Sequence, residues 1–242
     1  MVQPADRHDQ QCGTVSKVRD FDSIVSLAAK RKGGLANLEV LLAATLPLDL
    51  TQVAALRDDR VLAEMTRRIF NAGFSSAVID SKWPAFEQAY ENFDPAVCAS
   101  IVDRRFDILI RDEGIVRNAA KIKSVQTNAR LVRDLAEEHG SAAQFFASWP
   151  NEDFAGLVYV FKERGSYLGG DAGMRFLRSI GKPSFILTKD VVAALIREVV
   201  ISRAPTSGTD LRKVQDAFNR WSRQSGRDLT AISRILAMSV DG

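Results

Sequence analysis

The stretch KERGSYLGGDAGMRFLR, residues 162–178, decides how this chain is read. It reads as the end of one helix, a glycine-rich hairpin and the start of another helix. Gly165, Gly169, Gly170 and Gly173 fall close together there. Glycine lets backbone N–H groups approach a ligand, because no Cβ stands in the way. A hairpin that opens onto a helix N-terminus aims those N–H groups, and the positive end of the helix dipole, at an anion. Arg164, Arg175 and Arg178 flank it. A nucleic-acid phosphate is the natural anion for this arrangement. A glycine-rich helix–helix turn without a ligand is the plainer alternative.

Outward from the hairpin the pattern is helical almost everywhere. Phe21, Ile24, Val25 and Ala28 recur at spacings of three and four, and Leu229, Ile232, Ile235 and Leu236 give the last helix the same kind of face. Asp228 stands where an N-cap belongs. Pro84, Pro95, Pro150, Pro183 and Pro205 are expected between periodic stretches, near helix starts. GLVYVF (156–161) has the composition of a strand, but helical neighbours and the lack of a pairing partner argue against one. Residues 1–20 lack periodicity and read as a mobile tail. The expectation is one all-α domain over 21–242.

Composition sets limits. The chain has 242 residues, 46% of them hydrophobic, enough for an ordinary globular core. A net charge of +3 does not by itself announce nucleic-acid binding; only a local patch could. Cys12 and Cys98 lie far apart, and His8 and His139 are the only histidines, so neither a disulfide scaffold nor a metal site is expected. The first twenty residues carry no apolar stretch behind a basic start, and no apolar region is long enough to span a bilayer. The expected setting is cytoplasmic, at most nucleoid-associated.

One more region points to DNA. Ile115–Arg133 contains Arg117, Lys121, Lys123, Arg130 and Arg133 and no acid. Arg117, Lys121, Ser124 and Asn128 fall at helical spacing and are expected to share a polar stripe, with Ile122, Val125, Ala129 and Val132 buried. The stripe and the hairpin together would make one phosphate-binding surface, which positions a duplex without reading its sequence. An ordinary solvated basic face is the alternative.

Four segments carry a resemblance to a known family: EMTRRIFNAGFSS (64–76), AFEQAYENFDP (85–95), DEGIVRNAAKIKSVQTNAR (112–130) and the hairpin followed by SFILTKDVVAALIRE (184–198). In order and spacing they resemble the type I DNA-3-methyladenine glycosylases, a branch of the helix-hairpin-helix DNA glycosylases. The GIVRN…KI…NA pattern is the most specific of them. The resemblance implies two helical lobes around a cleft, double-stranded DNA as partner, a monomer, and no cofactor. It implies hydrolysis of the N-glycosidic bond of a damaged, alkylated base after that base is flipped out of the stack. Gly73, Arg117, Asn118, Lys121, Lys123, Gly165, Gly169, Gly170 and Arg175 would then contact DNA.

The family's AGxS turn fills the gap left by the flipped base. Here it is Ala72–Gly73–Phe74–Ser75, with Phe74 as the candidate apolar wedge and an ordinary core phenylalanine as the alternative. In most relatives of the wider superfamily an aspartate after the hairpin stabilises charge on the sugar. Asp190 stands at that place, and a first-turn or capping role is its alternative, since the type I branch largely dispenses with the aspartate. The chain departs from the family at two pocket positions. The family reads its cationic base with a glutamate and an aromatic side chain where this chain has Arg68 and Ser76. The family's zinc ligands are missing as well. Glu64, one helical turn before Arg68, could replace the acid, or could pair with a neighbouring arginine. Trp83 or Phe70 would have to supply the stacking wall, with a core role as the alternative. The expected pocket is a cleft between residues 64–76 and the Asp190 helix, lined by Glu64, Phe74 or Asp190. A DNA-binding homologue that recognises lesions without cutting is the competing reading.

Overall fold

A computed structural model describes residues 19–240. The expected tail therefore lies almost wholly outside the described residues. Fourteen α-helices follow one another in the described chain, and no strand occurs among them. They are α1 (Phe21–Arg31), α2 (Leu35–Ala43), α3 (Leu50–Ala54), α4 (Asp58–Asn71), α5 (Ser76–Ala89), α6 (Pro95–Ala99) and α7 (Asp103–Arg111). The long α8 (Ala119–His139) is followed by α9 (Ala142–Ser148), α10 (Phe154–Arg164), α11 (Asp171–Ser179), α12 (Lys189–Arg197), α13 (Gly208–Ser225) and α14 (Leu229–Met238). No described helix is long and apolar enough to cross a membrane.

Local sequence explains most boundaries. Asp20, Asp49, Ser75, Asp94, Asn118, Ser141, Thr188, Ser207 and Asp228 each cap a helix through the side chain. Each side-chain oxygen accepts one of the N–H groups that an isolated helix start leaves without a partner. GLVYVF lies inside α10, where Leu157, Val158 and Phe161 are buried. Pro95 opens α6, as expected, whereas Pro84 falls inside α5. Proline there forfeits one intrahelical hydrogen bond. The flanking Trp83 and Phe86 stack on one another with centroids 5.5 Å apart, and that packing outweighs the loss.

The helices form two groups. In the first, α8 lies at the centre, packed by α4, α6, α7 and α9. In the second, α1 packs on α2, α13 and α14, so the two ends of the described chain share one core, and α12 lies on α14. The hairpin pair α10 and α11 joins the groups, since α10 packs on α13 and α11 on α4. Aromatic rings make the joint. Phe161 of α10 and Phe176 of α11 meet edge-to-face at 5.7 Å, and both lie 5.5 Å from Phe146 of α9. The hairpin is therefore mounted on a packed core rather than on a free loop.

Candidate nucleic-acid interface

The hairpin begins where Gly165 ends α10, its N–H donating to the Phe161 carbonyl at 3.0 Å. Leu168 is buried and plugs the hairpin from below. Tyr167 takes a left-handed φ of +63° and projects into solvent. A Cβ on Gly173 would collide with the Leu168 carbonyl oxygen, and one on Gly169 would lie 3.0 Å from the Cα of Lys162. These two glycines are required by close approach. At Gly170 a Cβ would meet nothing within 4 Å, so space alone does not demand glycine there. Gly170 is also the N-cap of α11 and has no side chain to bond the first N–H groups. Those donors remain directed at solvent, which is the geometry that favours an anion.

The flanking arginines are less free than their positions suggest. Arg164 makes a forked ion pair with Glu138 at 2.8 and 3.1 Å, and Arg175 pairs with Asp171 at 2.5 Å. Arg178 turns inward, donates to the Ser184 carbonyl at 2.5 Å, and is pushed down by burial to about 10. Arg117 pairs with Glu113 at 3.3 Å, a contact exposed enough to exchange readily for a phosphate. The unpaired exposed cations among the described residues near the hairpin and on α8 are Lys123, Arg130, Arg133 and Lys162.

The expected stripe on α8 needs correction. Asn118 caps the helix, accepting the Lys121 N–H at 3.1 Å, and Ser124 and Asn128 are buried. Lys121 is only 7% exposed, and its ammonium donates to the carbonyls of Phe70, at 3.4 Å, and Ala72. Burial pushes this ammonium below its usual range. Lys121 is therefore no phosphate ligand. Helical spacing put these residues on one face, but that face meets α4 and the hairpin rather than water.

The AGxS turn is well defined. Ala72 has φ −66° and ψ 110°, Gly73 has φ +87°, and the Phe74 N–H donates to the Asn71 carbonyl at 3.2 Å. This is a type II β-turn, and glycine suits its third position because of the positive φ. Ser75 then caps α5. Phe74 projects from the turn 43% exposed, which insertion into a duplex requires.

The rest of the expected base pocket is not assembled as expected. Phe70 is fully buried against Phe86, ring centroids 4.8 Å apart, and offers no surface for stacking. Trp83 lies among Phe86, Phe93 and the Arg67 guanidinium, which is 4.1 Å from its ring, and its indole N–H is taken by Glu87. Glu64 and Arg68 form an ion pair at 2.6 Å, so each neutralises the other. Ser76 is exposed at the first position of α5. Asp190 is half-buried in the first turn of α12, whose cap is Thr188. Its carboxylate has no partner among the described residues. A cleft of about 530 Å³ does lie beside the hairpin, lined by Tyr159, Lys162, Gly169, Met174, Leu187 and Arg212 among others, but Glu64, Phe74 and Asp190 are not in its lining.

Sequence reasoning also missed Asn128 as part of the hairpin. Its Nδ2 donates to the Ser166 carbonyl at 3.0 Å and its Oδ1 accepts the Ser166 N–H at 2.8 Å. The signal was an amide set among Val125, Ala129, Leu131 and Val132, since a polar group in such a setting needs a partner.

Two helices joined by a glycine hairpin, within an all-helical chain, place the protein among helix-hairpin-helix architectures. Residues 52–156 match the family described as methyladenine glycosylase. The match includes the AGxS turn and all of α8 and stops before the hairpin. A solved structure titled as a 3-methyladenine DNA glycosylase I is 19% identical over 57% of this chain and 82% of its own, with a TM-score of 0.47.

Proposed function

We propose that the chain is a DNA glycosylase that inserts Phe74 into the duplex, grips the backbone through the glycine hairpin, and uses Asp190 to stabilise charge on the sugar. The observation that carries this reading is the exposed Phe74 presented on the hydrogen-bonded glycine turn. Burying that ring between base pairs would offset part of the cost of unstacking the target nucleotide. Asp190, in the first turn at the positive end of α12 and without a partner among the described residues, offers a carboxylate to an oxocarbenium-like sugar. The Glu64–Arg68 pair carries no net charge. A neutral or differently damaged base therefore suits this chain better than cationic 3-methyladenine.

The packed Phe70 and Trp83 favour a second reading, in which the chain binds lesions without cutting. Release of free base separates the two. Purified protein is incubated with methylated and deaminated duplexes, and freed bases are resolved chromatographically. Release that disappears in Asp190→Asn supports the glycosylase, and tight lesion binding with no release supports the binder.

A further inference from the structure

Lys121 and Asn128 are the polar members of the KI…NA pattern, and both are buried on α8. Each leaves the helix to hold one of the two turns that the DNA reading uses. The Lys121 ammonium bonds the last carbonyls of α4, at Phe70 and Ala72, and lies 5.2 Å from the centre of the exposed Phe74 ring. Asn128 clamps both backbone groups of Ser166, immediately after Gly165. Ser124, between them, satisfies itself locally by donating to the Lys121 carbonyl at 2.6 Å. Gln126, also buried, reaches instead to the carbonyls of Ala99 and Ile101, so on this stretch it is Lys121 and Asn128 that hold the two turns.

We propose that these two are positioning residues, and that α8 is a rigid spacer fixing the wedge turn relative to the phosphate-gripping hairpin. This inference rests on the DNA reading above. Lys121 and Asn128 sit two helical turns apart, about 10 Å along the axis, which matches the rise of roughly three base pairs. The spacing is stiff because α8 runs unbroken and is packed by four other helices. The chemistry at the two ends differs for a reason. An ammonium has three donors to gather converging helix-end carbonyls, and it draws the face of the Phe74 ring toward itself, which sets the direction of the wedge. A carboxamide carries one donor edge and one acceptor edge, and so matches a single peptide unit. A buried ammonium is costly unless its hydrogen bonds are made. A long apolar side chain would fill the same space without that cost, but it would not gather the carbonyls.

The test uses the full chain with Lys121→Met, Lys121→Arg and Asn128→Ala. The probes are an unmodified duplex and a duplex carrying 2-aminopurine opposite an abasic analogue, whose fluorescence rises when the base is unstacked. Lys121→Met should bind unmodified duplex like the parent, yet lower the fluorescence rise roughly tenfold, the size expected for losing a charged hydrogen bond. Lys121→Arg, which retains charge and donors, should restore it. Asn128→Ala should weaken unmodified-duplex affinity by roughly tenfold. Hydrogen exchange should quicken at 72–74 in Lys121→Met and at 166–170 in Asn128→Ala, while α8 stays protected. Equal loss of binding, opening and thermal stability in Lys121→Met, or no loss of opening, overturns the positioning role. A parent protein that fails to bind the unmodified duplex overturns the DNA reading itself and the role with it.

Discussion

Replacing Phe74 with alanine removes the group proposed to enter the duplex. The ring is 43% exposed. An aromatic side chain has roughly 200 Å² to bury, so about 90 Å² remains for contact with neighbouring bases. At about 25 cal/mol per Å² that surface stabilises the opened duplex by ~2 kcal/mol, or roughly 30-fold in the population of flipped base. Phe74→Leu keeps most of the apolar area and should lose only a fraction of this. The part of the ring already buried contributes to folding, by at most ~3 kcal/mol on the same scale. At about 2–4 °C per kcal/mol for a chain of this size, melting must be measured first and the assay run well below it. The assay is the fluorescence of 2-aminopurine at the lesion, titrated with protein under salt that permits full binding. Phe74→Ala should bind the duplex and fail to open it. Opening within about threefold of the parent would refute the argument, because an area term of this size cannot be hidden in so small a change.

Four other outcomes follow from the same structure. Asp190→Asn should lower base release by about a hundredfold or more while leaving duplex affinity unchanged; an undiminished rate would leave Asp190 a first-turn residue and nothing else. Gly173→Ala drives a Cβ into the Leu168 carbonyl and should cost about 1–3 kcal/mol in urea unfolding, whereas Gly170→Ala should cost far less. Val199 takes φ +57° just past the end of α12, where its N–H and that of Val200 close the helix on Ile196 and Leu195. A β-branched residue is strained in that left-handed position, so Val199→Gly should raise stability by about 1 kcal/mol and Tm by about 2–4 °C. Lys182 is buried, bonds the carbonyls of Ala147 and Trp149, and is pushed down to about 8 by burial. Below pH 8 the folded chain carries the full cost of that charge. Between pH 8 and about 10.4 the unfolded chain binds the extra proton, so stability rises with pH by up to ~3 kcal/mol. Lys182→Met should lack this rise in denaturant titrations at stepped pH.

The hairpin was legible in sequence because its cause is local. Glycine spacing, helical periodicity on both sides and a run of short helices needed no distant contact to be read. The same holds for the cap at Asp228, where one residue type answers one backbone demand. What failed was the assignment of faces. Lys121, Ser124 and Asn128 fall on one side of α8 by period alone, and period says nothing about whether water or another helix lies on that side. Arg164 and Arg175 counted as free cations only until Glu138 and Asp171 were placed beside them. Phe70 and Trp83 could be wall or core until Phe86 was seen to bury Phe70 and the rings of Phe86 and Phe93 were seen stacked on the half-buried Trp83.

By itself, then, the sequence determined the helices and the hairpin, since each follows from residues within a few positions of one another, whereas the exposure of Phe74 was read only from the structure. The tertiary structure alone decided that α8 is buried between α4 and the hairpin, which turned an expected phosphate-binding stripe into a pair of internal clamps. The reason is physical. Backbone conformation is set by neighbours in sequence, whereas burial and ion pairing depend on groups far apart in the chain, such as Lys121 with Ala72 and Asn128 with Ser166.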